Sequence, residues 1–406
     1  MTDALSLARA IDEQACLGTL SEMVRYKSHS GTEGERALAE RMVEIMSEMG
    51  LDAHLQPVED DRVNAIGVWR GTGGGKSLLF NGHLDTNPVS EGWTVDPWGG
   101  LVDDRFIYGI GVSNMKAGDA ASLCAVRTLM EGGKRLKGDV ILTYVVGELQ
   151  GGVGTYAAVK AGTRADYFIN SEPTDLQALT MHAEAFMFTI ELTGITRHMS
   201  KREEAVDAIR AACDLVPRLT ELTFSDAPSD EHRGINRVHV GTIRGALGQG
   251  FEEWRPPQVA DFVRMTGSGR IGPGQTQENA LRDFRAVLDT LERDWPGLKA
   301  EIRIESPSGN AHMPAFEVAR DARIVTALNV AYEAIRGEPQ PTGAITPPGY
   351  YGTDAGHLFV HGGMEGVVCG PGGRYNTMPD ERVDIPDYLD MVRIYLITMC
   401  DICELQ

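Results

Sequence analysis

The stretch "LLFNGHLDTN", residues 78–87, is an apolar run that turns polar at its C-terminal end. Continuous apolar character over a short run is how a strand buried on both faces of a parallel sheet reads, because neither face alternates toward water. In open sheets of that kind, ligands gather beyond the carboxyl ends of the strands. The polar residues found there, His83 and Asp85, are two apart, and in extended chain two residues so spaced point to the same side. An imidazole so placed can ligate a metal through one ring nitrogen. The carboxylate then accepts a hydrogen bond from the other nitrogen, which fixes the ring.

Outward from this run, helix and strand alternate. "ERALAERMVEIMSEMG" (35–50) has helical spacing and stops at Gly50, and the N-terminal twenty residues read as an amphipathic helix. "AGDAASLCAVRTLMEGG" (117–133) predicts a helix of small residues closed by a glycine pair, and "DVILTYVVGE" (139–148) a second buried strand. "ADYFINSEPT" (165–174) predicts a third, stopped by proline. The carboxylates Glu148 and Glu172 fall at the ends of these strands, as His83 and Asp85 do at theirs. An acid emerging from a buried strand has raised proton affinity and suits general-base work. Such alternation predicts an α/β fold with a mixed, mostly parallel sheet between helices.

From about residue 186 the pattern changes. "FMFTIELTG" (186–194) alternates like a half-exposed strand, and a helix is predicted at 202–219. A strand at 236–246, a helix at 278–295 and a strand at 298–306 follow. The reading is an inserted α+β domain over 186–305, with 1–185 and 306–406 forming the catalytic metal-binding domain. Helix–strand alternation resumes at 322–335 and 365–373 to complete the first sheet.

With 406 residues, 42 % hydrophobic and 24 % charged, the chain is long enough for two domains. Its net charge of −20 argues against nucleic acid or an anionic membrane surface as partner. No apolar run reaches the length of a membrane span, and the N-terminus lacks the pattern of a signal peptide. With six scattered cysteines, of which only Cys400 and Cys403 form a C-x-x-C, the expectation is a reducing cytoplasm.

Together "GHLDT", "DPW…YGIG", "SNMKAG", "GELQGG", "SEPT", "RHMS", "GTDAGHLF" and "GPGG…PDERVDI" resemble one family over essentially the whole chain. This is the metallohydrolase family of acetylornithine deacetylase, succinyl-diaminopimelate desuccinylase, aminoacylase and glutamate carboxypeptidase. The resemblance implies a zinc-exopeptidase-like catalytic domain with an inserted α+β lid or dimerisation domain. It also implies two metals sharing a bridging carboxylate. One metal is further held by His83 and Glu172. The other takes the second acid of a Glu-Glu pair and a histidine near the C-terminus.

Here the bridging position is Asn114, the second acid is Leu149 and the C-terminal histidine is Thr377, beside Asn376. Every residue particular to the second metal is gone, and both particular to the first remain. The expectation is therefore one divalent ion per chain, Mn²⁺ or Zn²⁺, on His83, Asn114 and Glu172, with Leu149 sealing the vacated position. Open coordination positions are what a catalytic metal needs. By the resemblance, Glu148 is the general base, Asp85 orients His83, and His198 reaches across a dimer to a developing oxyanion. Arg285, Asn236 and Arg237 are candidates to bind a substrate carboxylate; His357, Asn376 and Thr377 are candidates to line the pocket.

The expected function is hydrolysis of a C–N bond in a small carboxylated molecule. The altered site resembles that of family members acting as aminohydrolases on an activated aromatic amine such as 5-nitroanthranilate. The alternatives are an N-acyl amino acid deacetylase or dipeptidase running on one metal, and a non-catalytic homologue with a decayed site. A homodimer is expected through the inserted domain.

Overall fold

In the computed structural model, which describes residues 2–253, 255–305 and 313–406, the run at 78–87 forms the strand Leu78–His83, buried throughout. It lies in an eight-stranded sheet. The strand order is Asp52–Pro57, Val63–Trp69, Val140–Val145, Leu78–His83, Tyr167–Asn170, Glu365–Val368, Ala178–Leu179 and Thr342–Gly343. Val140–Val145, Leu78–His83, Tyr167–Asn170 and Glu365–Val368 run parallel to one another, and Asp52–Pro57 and Val63–Trp69 close one edge antiparallel. The sheet is thus mixed and mostly parallel in its centre, as the continuous apolar runs require.

Contacts divide the chain into two units. The first comprises Met1–Met181, Phe316–Pro348 and Thr353–Gln406, and the second His182–Ala315 and Gly349–Gly352. In the first unit, helix Ala117–Glu131 is buried along almost its whole length, which its small residues permit. At Gly118 a Cβ would stand 2.3 Å from the Ser171 carbonyl oxygen, so only glycine lets the helix start pass this close to the Tyr167–Asn170 strand end. The last helix, Ile385–Ile402, packs on Ala117–Glu131 and on Arg323–Arg336. It is apolar on nearly every face, so it shows little amphipathic periodicity, and the sequence reading passed over it.

The second unit has a four-stranded antiparallel sheet, ordered Arg237–Ala246, Phe262–Ile271, Glu184–Thr193 and Lys299–Glu305. Helices Ala208–Thr220 and Gln277–Asp294 share its core with Phe186, Phe188, Ile190 and Leu192.

Two predicted boundaries move. The single N-terminal helix is two, Thr2–Arg9 and Glu13–Val24, because the Asp12 carboxylate accepts from the Ala15 N–H at 2.9 Å and caps a new start. The helix predicted from Arg202 begins at Ala208, where Asp207 caps the Ile209 and Arg210 N–H groups.

Candidate metal centre

Three parallel strand ends converge. His83 is the last residue of its strand, paired with Val145 beside it. Glu148 follows three residues after Val145, and Glu172 two after Asn170. His83 Nε2 lies 3.6 Å from Glu172 Oε1 and 3.9 Å from Glu148 Oε2. One ligand atom from each of the three residues falls within 4.8 Å of the others. His83 Nε2 and Glu172 Oε1 are buried and have no hydrogen-bond partner, and Asn114 Oδ1 is orphaned in the same way. Buried polar atoms are almost always paired. The unpartnered His83 Nε2 and Glu172 Oε1, gathered with Glu148, are what a divalent cation would satisfy, so these residues fit one, and Asn114 offers a further orphaned oxygen on the loop tied to the His83 strand.

The electrostatics point the same way. Burial raises Glu148 well above the ordinary carboxylate range, and neighbouring Glu172 adds to it. Burial likewise raises Glu172. Burial alone would depress His83, but Glu172, Asp85 and Glu148 carry it well above the usual imidazole value. Acids crowded around an imidazole out of water form a site short of positive charge.

Asp85 departs from the expected second-nitrogen partner in detail. His83 Nδ1 donates to the Asp85 backbone carbonyl at 2.9 Å, and the nearer carboxylate oxygen stands 3.5 Å away. That carboxylate instead accepts the N–H groups of Gly147 (3.0 Å), Glu148 (3.2 Å) and Leu149 (3.3 Å) and the Ser30 hydroxyl (3.0 Å). Burial opposes its ionisation, but the adjacent His83 ring and the hydrogen bonds from Ser30 and the Leu149 amide leave it below its ordinary value. One residue thereby aims both the histidine and the turn that carries Glu148.

Asn114 sits on a loop entered through Gly111 (φ +76°), and its peptide bond to Met115 is cis. Glu381 Oε1 accepts the Ser113 and Asn114 N–H groups at 2.9 and 3.1 Å, and Met115 Sδ accepts the His83 N–H at 3.1 Å. The loop is therefore tied to the His83 strand. Leu149 is 38 % exposed, so it is not the buried plug expected at the vacated position. Asn376 is half-buried and Thr377 exposed.

The remaining candidates each have their own surroundings. His198, in the second unit, is exposed and bonds Ser200 Oγ through Nδ1. Arg285, expected to grip a substrate carboxylate, is held by Asp289 (2.6 Å), Glu292 (3.0 Å) and the Ala300 carbonyl. Asn236 spends its amide on Phe224, His232 and Gln275. Arg237 stacks on the Tyr350 ring at 4.3 Å. His357 is fully buried, and its Nε2 donates to the Gly151 carbonyl at 2.8 Å. Sequence reading missed Arg270, directly across the strand pair from Arg237. Its Nε donates to the Tyr350 carbonyl at 2.9 Å, burial depresses its pKa, and no carboxylate among the described residues pairs with it. The signal available in "GSGRIGPG" was only a charged residue among glycines.

The model of peptidase family M20/M25/M40 matches residues 79–400. The chain belongs to this family. Among curated relatives, N-formyl-4-amino-5-aminomethyl-2-methylpyrimidine deformylase of Bacillus subtilis is 25 % identical over 386 residues, covering 87 % of each chain. Acetylornithine deacetylase of Yersinia pseudotuberculosis is 26 % identical over 361 residues, again covering 87 % of each. Among solved structures, a tripeptidase from Staphylococcus aureus superposes with a TM-score of 0.77 at 20 % identity, covering 97 % of this chain and 99 % of its own. As an M20-family member the chain is a metal-dependent hydrolase acting on C–N bonds.

Proposed function

We propose that this M20-family hydrolase works with one divalent ion per chain, Mn²⁺ or Zn²⁺, held by His83, Asn114 and Glu172. We further propose that it replaces the amino group of an activated, carboxylated arylamine such as 5-nitroanthranilate by hydroxyl. The observation that carries this reading is the asymmetry of the donor set. His83 Nε2, Glu172 Oε1 and Asn114 Oδ1 are buried and orphaned. The positions belonging to a second metal hold Leu149 and Thr377, both exposed. Imidazole and oxygen donors without thiolate suit either ion.

When bound, such an ion supplies electrophilic pull and acidifies nearby water. The chain's own residues do the rest. Glu148, with its proton affinity raised by burial, takes the proton from the attacking water. A C–O bond forms at the ring carbon, the C–N bond breaks, and the nitrogen leaves as ammonia with the proton Glu148 took. A carbon already activated by a ring nitro group does not require a second metal to clamp a carbonyl. An N-acyl substrate on the same single ion is the second reading, favoured by the deformylase and deacetylase names of the relatives.

Metal analysis and a substrate screen together test this. About one ion per chain is expected, and ammonia release from 5-nitroanthranilate should exceed deacylation of N-formyl and N-acetyl amines and cleavage of dipeptides. Two tightly held ions would end the single-metal reading, and deacylation alone would select the second substrate class. The expected homodimer, with His198 serving the partner's oxyanion, is checked by light scattering and by the loss of turnover in His198→Ala.

A further inference from the structure

The turn carrying Glu148 is built from the residue type least able to hold a shape. Gly147 (φ +75°), Gly151 (φ +86°) and Gly152 (φ +73°) bracket a single 3₁₀ turn, Glu148–Gln150. Asp85 ties down its first three N–H groups. Its far end faces the short helix Ala355–Val360. A Cβ at Gly152 would stand 2.5 Å from Asp354 Oδ1 and 2.6 Å from His357 Cδ2, so the helix seats directly on the turn. His357 reaches this end of the turn, its Nε2–H donating to the Gly151 carbonyl at 2.8 Å. The imidazole is itself braced by the Tyr156 ring edge-on at 5.7 Å and by His361 stacked at 5.5 Å.

We propose that His357 is a positioning residue for Glu148: it pins the C-terminal end of the glycine turn, as Asp85 pins the N-terminal end, and so holds the Glu148 carboxylate toward His83. This rests on the reading of Glu148 as the base. It replaces the pocket-lining role expected for His357, since a fully buried ring engaged with Gly151 and two aromatic neighbours has its donor directed at the turn.

The test compares His357→Ala and His357→Gln in the metal-loaded chain, with 5-nitroanthranilate hydrolysis and amide hydrogen exchange as readouts. Loss of an outer partner that orients a site typically costs about 10–100-fold. His357→Ala should lower kcat by about that much, leave KM and metal content unchanged, and speed exchange of the amides at 149–152. Gln, which keeps an N–H donor of similar reach, should restore slow exchange and most of kcat. If Ala fails to fold, slow exchange and near-normal kcat in Gln still support the role. Equal loss in both variants, a rise in KM alone, or unchanged exchange in His357→Ala overturns it. Glu148→Gln is measured alongside. Full activity there removes the base reading itself, whereas a dead Glu148→Gln beside a normal His357→Ala removes only this inference.

Discussion

At position 114 an amide stands where the family resemblance places a carboxylate that bridges two ions. A bridging ligand needs charge to offset two dications, whereas a neutral amide oxygen can serve one. The consequence is reversible by mutation. Asn114→Asp combined with Leu149→Glu and Thr377→His restores the donors of a second ion, and metal analysis should then rise from about one to about two ions per chain. A triple variant still at one ion would mean that Asn114 is not where the charge was lost. Glu148 makes a separate prediction. Glu148→Gln should keep its metal and lose about 10²–10⁴ of turnover, the usual worth of a general base. At this scale the sequence was legible where chemistry and strand ends coincide: His83, Glu148 and Glu172 lie together as their strand-end positions imply. It was not legible where a side chain's neighbours decide its role. Arg285 looked available and is taken by Asp289 and Glu292, while Arg270 looked unremarkable and has no acid partner among the described residues.

Elements hold the site through close approaches that only glycine allows. Gly82 precedes His83 in its strand, and a Cβ there would fall 1.8 Å from Asp119 Oδ1 and 2.6 Å from Met115 Cε. The strand, the Asn114–Met115 loop and helix Ala117–Glu131 therefore meet at a point with no spare volume. Overpacking a core costs about 1–3 kcal/mol. Gly82→Ala should destabilise by that order in denaturant titration and weaken metal binding as His83 is displaced; an unchanged midpoint would show that Asp119 yields freely. The same reliance on glycine explains a strand the sequence reading missed. In "FVRMTGSGRI" (262–271) the glycines mimic a turn signal. Gly267 and Gly269 instead leave room for the rings of Phe188 and Phe186, whose Cζ atoms would lie 2.3 and 2.1 Å from added Cβ atoms. Helices with one apolar face, such as Gln277–Asp294, were predicted to within a residue at either end.

Over the whole molecule, negative charge is in excess, −20 by composition, and part of that excess is buried around the candidate metal centre. No helix among the described residues is long and apolar enough to cross a membrane. Burial pushes Asp354 up from 3.8 to about 7 and Glu381 from 4.5 to about 7, and raises Glu148 and Glu172 as well. An acid with a raised folded-state pKa keeps its proton in the native chain after the unfolded chain has released it. Its stabilising effect is complete below the unfolded value and is lost as pH climbs toward the folded one. His83, with its pKa raised by the acids around it despite burial, contributes in the same direction but only above its ordinary value of about 6.5. The metal-free protein should therefore unfold at progressively lower temperature from about pH 4 to pH 7. A dication reverses the trend, because its ligands bind it deprotonated and its affinity grows as those protons leave. At a hundredfold excess over Kd it should add about 2.7 kcal/mol. Thermal unfolding across this range, with EDTA and with added MnCl₂, measures both slopes. Asp354→Asn should flatten the metal-free curve. A metal-free curve that is level with pH, or a metal effect larger at pH 5 than at pH 7, would show that the buried charge is balanced within the protein and that the centre does not depend on a cation.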